Sequence, residues 1–497
     1  MKALLPIFFF ILNNFATAQT LPMLTKSQMY ADFDTLTMAL TQINPHDFVR
    51  RSVNKYAQSD SILALGKQID TMSSTASFFW LVNKALTFCQ DGHTSIMRKH
   101  NYRFVDSIDR IKWHSTPDDT LAIDAYYKLY TTTMNSYRLK LPIKYINGAY
   151  TVLTAFPYQN IEIPNNAILT QCDGKDIHAY VNTLMSTCEE MHWDFKLKRF
   201  YSEEFTQSTN HKPTDKIALT FKENGQEITH KFALNDTIRV KKPLKYKQDY
   251  TPSVHYFDEG QILYFHMPAM QDGDYYLRKI DSIGAIHAFK KVVFDIRDNP
   301  GGSDLEWQNI IRHLIDKPII RNIIRGANRK NPRRDRFELT TLRSILKPDF
   351  IKEDFYQSID YGLDTLEVDT NSLRFKGNIY VLQNENCFSS AGSLISTCQF
   401  SDKLINVGNS TGWFAGFGVM PWIMILPHSK ILYWTEPLLD FTNVKKPEDL
   451  FQNRVKIPIT LTAEDYTRKY MYPNDWYAKE YLFQYDTVFK AVLGMKD

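Results

Sequence analysis

"KVVFDIRDNPGGSDLEWQNIIRHLI", residues 291–315, decides how the chain folds. Its first part, KVVFDIR, is almost unbroken in apolar character, the pattern of a strand covered on both faces. Its last part, LEWQNIIRHLI, reads as a helix. Between them lie Asn299, Pro300, Gly301 and Gly302. Ser303 and Glu306 have the S-x-x-E spacing of a capping box, which sets the two glycines just ahead of a helix N-terminus. Amides there lack partners and carry the positive end of the helix dipole. Glycine allows positive φ and close approach of another chain. The turn is therefore built to hold an anionic oxygen. A phosphate is one candidate, but the fuller phosphate-loop patterns are absent. The oxyanion of acyl transfer is the better one.

Strand and helix alternate outward from this stretch. QILYFHMPAM (261–270) and NIYVLQN (378–384) read as strands. YYLRKIDSIGAIHAFKK (275–291) reads as a helix, with Ile280, Ile283, Ile286 and Phe289 at three-residue steps. AGSLISTCQF (391–400) reads as another. Such alternation across 260–460 argues for a layered α/β core. Residues 26–90 are helical in pattern, with Met29, Phe33, Leu36 and Leu40 at three- and four-residue steps. Residues 140–240 hold short strands, with a hairpin signal at Asn224-Gly225 and a strand, Asp-Gly turn and helix across ILTQCDGKDIHAY (168–180).

The bulk numbers exclude some classes. With 497 residues, 43% of them hydrophobic, the chain can bury a large core. Its 59 basic against 55 acidic residues leave a formal charge of +4, which gives no case for a nucleic-acid partner. The leader MKALLPIFFFILNNFATAQT has Lys2, an apolar run from Ala3 to Leu12, and small residues at Ala16 and Ala18. It reads as a secretory signal peptide over 1–18 and implies export, to a periplasm or beyond the cell. No integral membrane segment is expected in the remainder. The cysteines, Cys89, Cys172, Cys188, Cys387 and Cys398, are expected to be mostly free and buried. No spacing suits a metal site, and no cofactor is expected.

Two further pieces carry chemistry. In QNENCFSSAGSLIS (383–396) an apolar strand runs into a small-residue turn and then a helix. Ser390 stands at the junction, Ser389 can take the capping role, and the Ala391 amide can face an attacked carbonyl, as in a nucleophile elbow. In CQDGHTS (89–95) a tight Asp-Gly turn presents His93.

In this order and spacing the pieces resemble the serine peptidases of the tail-specific (C-terminal processing) and tricorn-like family. Asp295, Arg297, Asn299, Gly301 and Gly302 match its D-x-R-x-N-x-G-G motif, Asp91–Thr94 its D-G-H-T, and Ser390-Ala391-Gly392 its serine turn. VGNSTGWFAGFG and LPHSKI resemble later segments, so the likeness covers most of 26–465. It implies a layered ClpP/crotonase-like α/β catalytic core with an N-terminal helical region and a PDZ-like β-rich domain. The boundaries expected are 19–105 for the helical region and 140–245 for the PDZ-like domain. They are 250–470 for the core and 471–497 for a C-terminal helical segment. The tail-specific branch uses a lysine base after the serine. TGWFAGFG has none, and neither Lys403 nor Lys430 matches, so the histidine-using branch is implied. Ser393 replaces the family's glutamate, and Trp413 a glycine.

The resemblance implies an exported serine endopeptidase acting on a peptide or unfolded protein. Ser390 is the nucleophile and His93 the general base. Amides of Gly301 or Gly302 and of Ala391 form the oxyanion hole. Glu448 is the expected acid, with Asp449, Glu436 and Asp440 as rivals. Asp295, Arg297 and Asn299 brace the turn. Two alternatives stand beside it: a non-catalytic peptide-binding protein on the same fold, and a phosphate- or nucleotide-binding α/β protein.

Overall fold

The computed structural model describes residues 21–97, 124–130, 139, 141–186, 191–205, 216–234, 251–332, 356–410, 421–450 and 454–495. The leader over 1–18, Cys188, and TGWFAGFG with Trp413 lie outside them.

Lys291–Asp295 is a fully buried strand inside a six-stranded sheet. The sheet order is Ser253–Phe257, Ile262–His266, Lys291–Asp295, Asn378–Gln383, Leu404–Gly408 and Ile457–Pro458. The first pair is antiparallel and every later pair parallel. Alternate residues feed opposite layers, because side chains on a strand alternate in direction. Val292 and Phe294 meet Tyr276, Trp307, Ile311 and Leu394 from helices Gly273–Gly284, Asp304–Leu314 and Ser390–Thr397. Val293 faces the other way, toward Leu482, Val488 and Phe489 of helices Lys479–Gln484 and Thr487–Leu493. The sheet is covered on both faces, as its apolar strands require.

Two local readings are corrected. The helix expected over 275–291 ends at Gly284, and Ile286 is 77% exposed beyond it. Strict three-residue steps drift around a 3.6-residue helix, so Ile280 and Ile286 never shared one face. The capping box at Ser303 and Glu306 does not form: the Ser303 side chain makes no capping bond. Its backbone N–H instead donates to the Met270 carbonyl at 2.9 Å. Glu306 Oε2 accepts from the Gly273 amide at 2.6 Å, capping the neighbouring helix. Glu306→Ala is therefore expected to lower stability by about 1 kcal/mol, the scale of a part-exposed charged hydrogen bond, read by urea denaturation.

The β-rich unit is antiparallel. Its order is Ile143–Ile146, Ala149–Val152, Ile168–Cys172, Lys216–Glu223 and Gln226–Ala233, with Lys175–Asp176 beside Ile168–Cys172. Asn224 and Gly225 both take positive φ, +48° and +85°, the two-residue hairpin geometry that the pair favours. After the Asp173-Gly174 turn, helix Ile177–Thr183 is capped by the Asp176 carboxylate on the His178 and Ala179 amides. Lys144 ties this unit to the core: it pairs with Glu203 and lies 3.5 Å from Glu385, just ahead of the serine turn.

The N-terminal helices, among them Lys26–Met38 and Thr75–Thr87, share a core with Met424, Leu426, Ile431 and Tyr433. Those residues belong to the hairpin Trp422–Ile425 and Leu432–Thr435 and its turn. Asp32 fastens that turn by accepting from the His428 and Ser429 amides at 2.8 and 2.7 Å. Cys89, Cys172, Cys387 and Cys398 are free and buried.

Candidate active site

Asp295, at the end of its strand, is fully buried. It accepts from Arg297 Nε at 2.9 Å and Nη2 at 2.6 Å, and from the Tyr264 hydroxyl at 2.9 Å. Arg297 also reaches Asp486 at 2.6 Å, so the guanidinium ties the turn to the C-terminal helix. These bonds and the Arg297 charge hold the Asp295 carboxyl below its usual range against the effect of burial. Asn299 braces the loop twice. Its Nδ2 donates to the Met267 carbonyl at 2.8 Å, and its Oδ1 accepts from the Gly301 amide at 2.7 Å.

Gly301 (φ +102°) and Gly302 (φ +142°) both occupy backbone space that disfavours side chains. A Cβ on Gly301 would stand 2.7 Å from the Ser389 Cβ and 3.0 Å from the Ser390 nitrogen. The glycine is what lets the two turns touch. Gly301→Ala is expected to fold less stably by about 1–3 kcal/mol and to lose activity by displacing the serine turn. Thermal melting and a turnover assay check it.

Ser389 occupies the elbow. It precedes helix Ser390–Thr397 with φ +51° and ψ −120°, a strained corner, and makes no capping bond. The Phe388 amide donates to the Asn299 carbonyl at 3.0 Å, pinning the elbow to the Pro-Gly-Gly loop. Ser393, at the position of the family's glutamate, donates to Asp304 Oδ2 at 3.1 Å and joins the two helices.

His93 arrives from the N-terminal helices. Ile96 pairs with Tyr433, and the Trp434 amide donates to the Ser95 carbonyl at 2.8 Å. Carried three residues further in each direction, this antiparallel register brings His93 opposite Glu436. Their side chains meet: His93 Nδ1 hydrogen-bonds Glu436 Oε2. The other ring nitrogen, Nε2, lies 3.2 Å from Ser389 Oγ. The imidazole packs at 4.5 Å, centroid to centroid, against Phe388. The same Phe388 ring fills the space above Gly92 that a Cβ would need.

Burial opposes charge on His93, and the Glu436 carboxylate outweighs it, so the imidazole titrates above its ordinary value. Burial pushes Glu436 up to about 7, with His93 pulling it back. Glu436 is 3% exposed, and its Oε1 has no hydrogen-bond partner among the described residues.

Several of the expected site residues do not converge on His93. Ser390 does not meet His93: its hydroxyl is buried and without a hydrogen-bond partner among the described residues. Successive residues of a tight turn point in different directions, and the one facing His93 is Ser389. The Ala391 amide is engaged, donating to the Phe388 carbonyl at 3.0 Å, as the Gly301 amide is by Asn299. Among the described residues, the amides of Gly302 and Ser390, on the two facing turns, are among those at this junction left without an acceptor. Glu448 does not reach His93. It lies on the short helical turn Pro447–Leu450, packed against helix His46–Val53. Asp449 accepts from the Lys445 and Lys446 amides and pairs with Arg454 at 2.9 Å. Asp440 accepts from the Thr442 amide at 2.6 Å. Glu436 was legible only as a rival. The apolar alternation leading to it could have marked the hairpin, but not its pairing with Ser95–Met97.

A cleft of about 980 Å³ opens beside His93. Its walls come from the core (Phe388, Glu385), the hairpin (Trp434), the β-rich unit (Lys144) and the helix Ala463–Met471 (Tyr466, Lys469).

Residues 261–441 match the family described as Peptidase family S41. That segment, the core of the chain, is similar to the S41 peptidases. The match spans the Pro-Gly-Gly turn, the serine elbow and Glu436, and it supports a serine peptidase. Two structures of mature CPAF, one complexed with lactacystin, superpose on it with TM-scores of 0.54 and 0.53. Identity is 12% in both, over 89% of this chain and 94% and 96% of theirs. That likeness is one of fold. The photosystem II D1 C-terminal processing protease aligns at 12% identity over 88% of this chain and 94% of its own, with a TM-score of 0.36. No curated protein matches the chain by sequence. Among the described residues no helix is long and apolar enough to cross a membrane.

Proposed function

We propose that this chain is an exported endopeptidase working through Ser389, His93 and Glu436, and not through Ser390 and Glu448. The observation that carries it is the chain of contacts from Ser389 Oγ through both ring nitrogens of His93 to Glu436. His93 Nε2 takes the hydroxyl proton as Ser389 attacks the peptide carbonyl, and later gives it to the leaving amine. Glu436 holds the Nδ1–H, selects the tautomer that leaves Nε2 free to accept, and stabilises the imidazolium that forms. The Gly302 and Ser390 amides receive the oxyanion. Water then repeats the sequence on the acyl-enzyme.

A polypeptide substrate suits a cleft walled by four parts of the chain. The β-rich unit, proposed as PDZ-like, would hold the substrate beside the elbow. A phosphate site is disfavoured, because the Gly301 amide is already spent on Asn299. The test is labelling of the mature protein with a fluorophosphonate, followed by peptide mapping. Modification at Ser389 is expected. Modification at Ser390, or none, would overturn the assignment.

A further inference from the structure

Asp91 is almost wholly buried, yet every bond its side chain makes to Asn44, His93 and Thr94 is one that it accepts. Oδ1 receives the amides of His93 at 3.0 Å and Thr94 at 2.6 Å. Oδ2 receives Asn44 Nδ2 and the Thr94 hydroxyl, both at 2.7 Å. Four donors on one carboxyl leave no place for a proton, so Asp91 is an anion here. Thr94 Oγ1, its proton given to Asp91, accepts in turn from Asn44 Nδ2 and from the Glu436 amide, both at 3.2 Å. One hydroxyl thus joins the backbone of the His93 turn to the backbone of Glu436, from segments 342 residues apart.

The side-chain bond between His93 and Glu436 depends on that spacing. Both residues stand at the ends of their pairing segments, past the last bridge at Ile96 and Tyr433. Beyond that bridge the Trp434 amide bonds the Ser95 carbonyl, and the Thr94 hydroxyl to the Glu436 amide is, among the described residues, the tie between the two segments that lies next to His93 and Glu436 themselves. We infer that Thr94, anchored by Asp91, is a positioning residue that sets the reach of His93 to Glu436. The inference rests on the triad proposed above. Thr94 touches neither substrate nor reacting atoms and acts through the geometry of the two that do.

The test compares Thr94→Val, which keeps the shape and removes the hydroxyl, with Thr94→Ser, which keeps the hydroxyl. The readout is fluorophosphonate labelling of Ser389, resolved into kinact and KI. Thr94→Val is expected to lower kinact by roughly ten- to a hundredfold, the cost of a small misplacement, with KI little changed. Thr94→Ser should restore kinact. A folded Thr94→Val protein with wild-type kinact overturns the positioning role alone. Wild-type protein not labelled at Ser389 overturns the triad and the positioning together. If the valine variant does not fold, Thr94→Ala replaces it, and equal kinact in the alanine and serine variants overturns the inference.

Discussion

Ser389→Ala is expected to abolish turnover, by on the order of 10⁴–10⁶-fold, while Ser390→Ala leaves it nearly intact. The two hydroxyls are one residue apart but in opposite situations. Ser389 Oγ lies 3.2 Å from His93 Nε2. Ser390 Oγ is buried and without a hydrogen-bond partner among the described residues. Removing a buried hydroxyl that bonds nothing loses no hydrogen bond, and stability should hold or rise slightly. The Ser390 contribution assigned here is its backbone amide, which alanine keeps. Steady-state hydrolysis and fluorophosphonate labelling of both variants decide the matter. A dead Ser390→Ala beside an active Ser389→Ala would return the nucleophile to Ser390.

Glu436→Gln is expected to cost roughly 10²–10⁴-fold in kcat, with substrate binding little changed. Glutamine can present an N–H to Nδ1, which favours the tautomer whose proton sits on Nε2, where it cannot accept from serine. The variant also reports through pH. His93 must be neutral to act as base, so activity is lost as pH falls through its pKa. The Glu436 charge raises that pKa above the ordinary histidine value, so the acid limb of kcat/KM should lie above about 6.5 in the wild type. Loss of the charge moves the limb to lower pH in whatever activity remains. A limb that stays in place would show that Glu436 does not act on His93. Glu448→Gln serves as the control and should leave both rate and limb unchanged.

Much of the architecture was legible because it rests on local rules. KVVFDIR is apolar on both faces, so it lies inside a sheet covered on both sides. Asn224-Gly225 takes positive φ at both positions, so it makes a two-residue hairpin. The Pro-Gly-Gly turn and the Asp-Gly-His turn announced themselves because so few residues adopt such backbone angles. Where the reading failed, a partner distant in sequence had intervened. Glu306 faced two possible amides and took that of Gly273, because the Met270 carbonyl had already claimed the backbone of Ser303.

The sequence by itself determined the strand-and-helix order of the core, the glycine turn, the presence of a serine at the elbow and the histidine that approaches it. Only the tertiary structure decided which of two adjacent serines faces that histidine, and which of four candidate acids stands behind it. The first choice depends on the twist of one strained corner, where neighbouring side chains diverge. The second depends on a strand register between segments 343 residues apart. Composition and spacing are insensitive to both, because a one-residue shift in either leaves every local pattern as it was while turning a different side chain toward the imidazole.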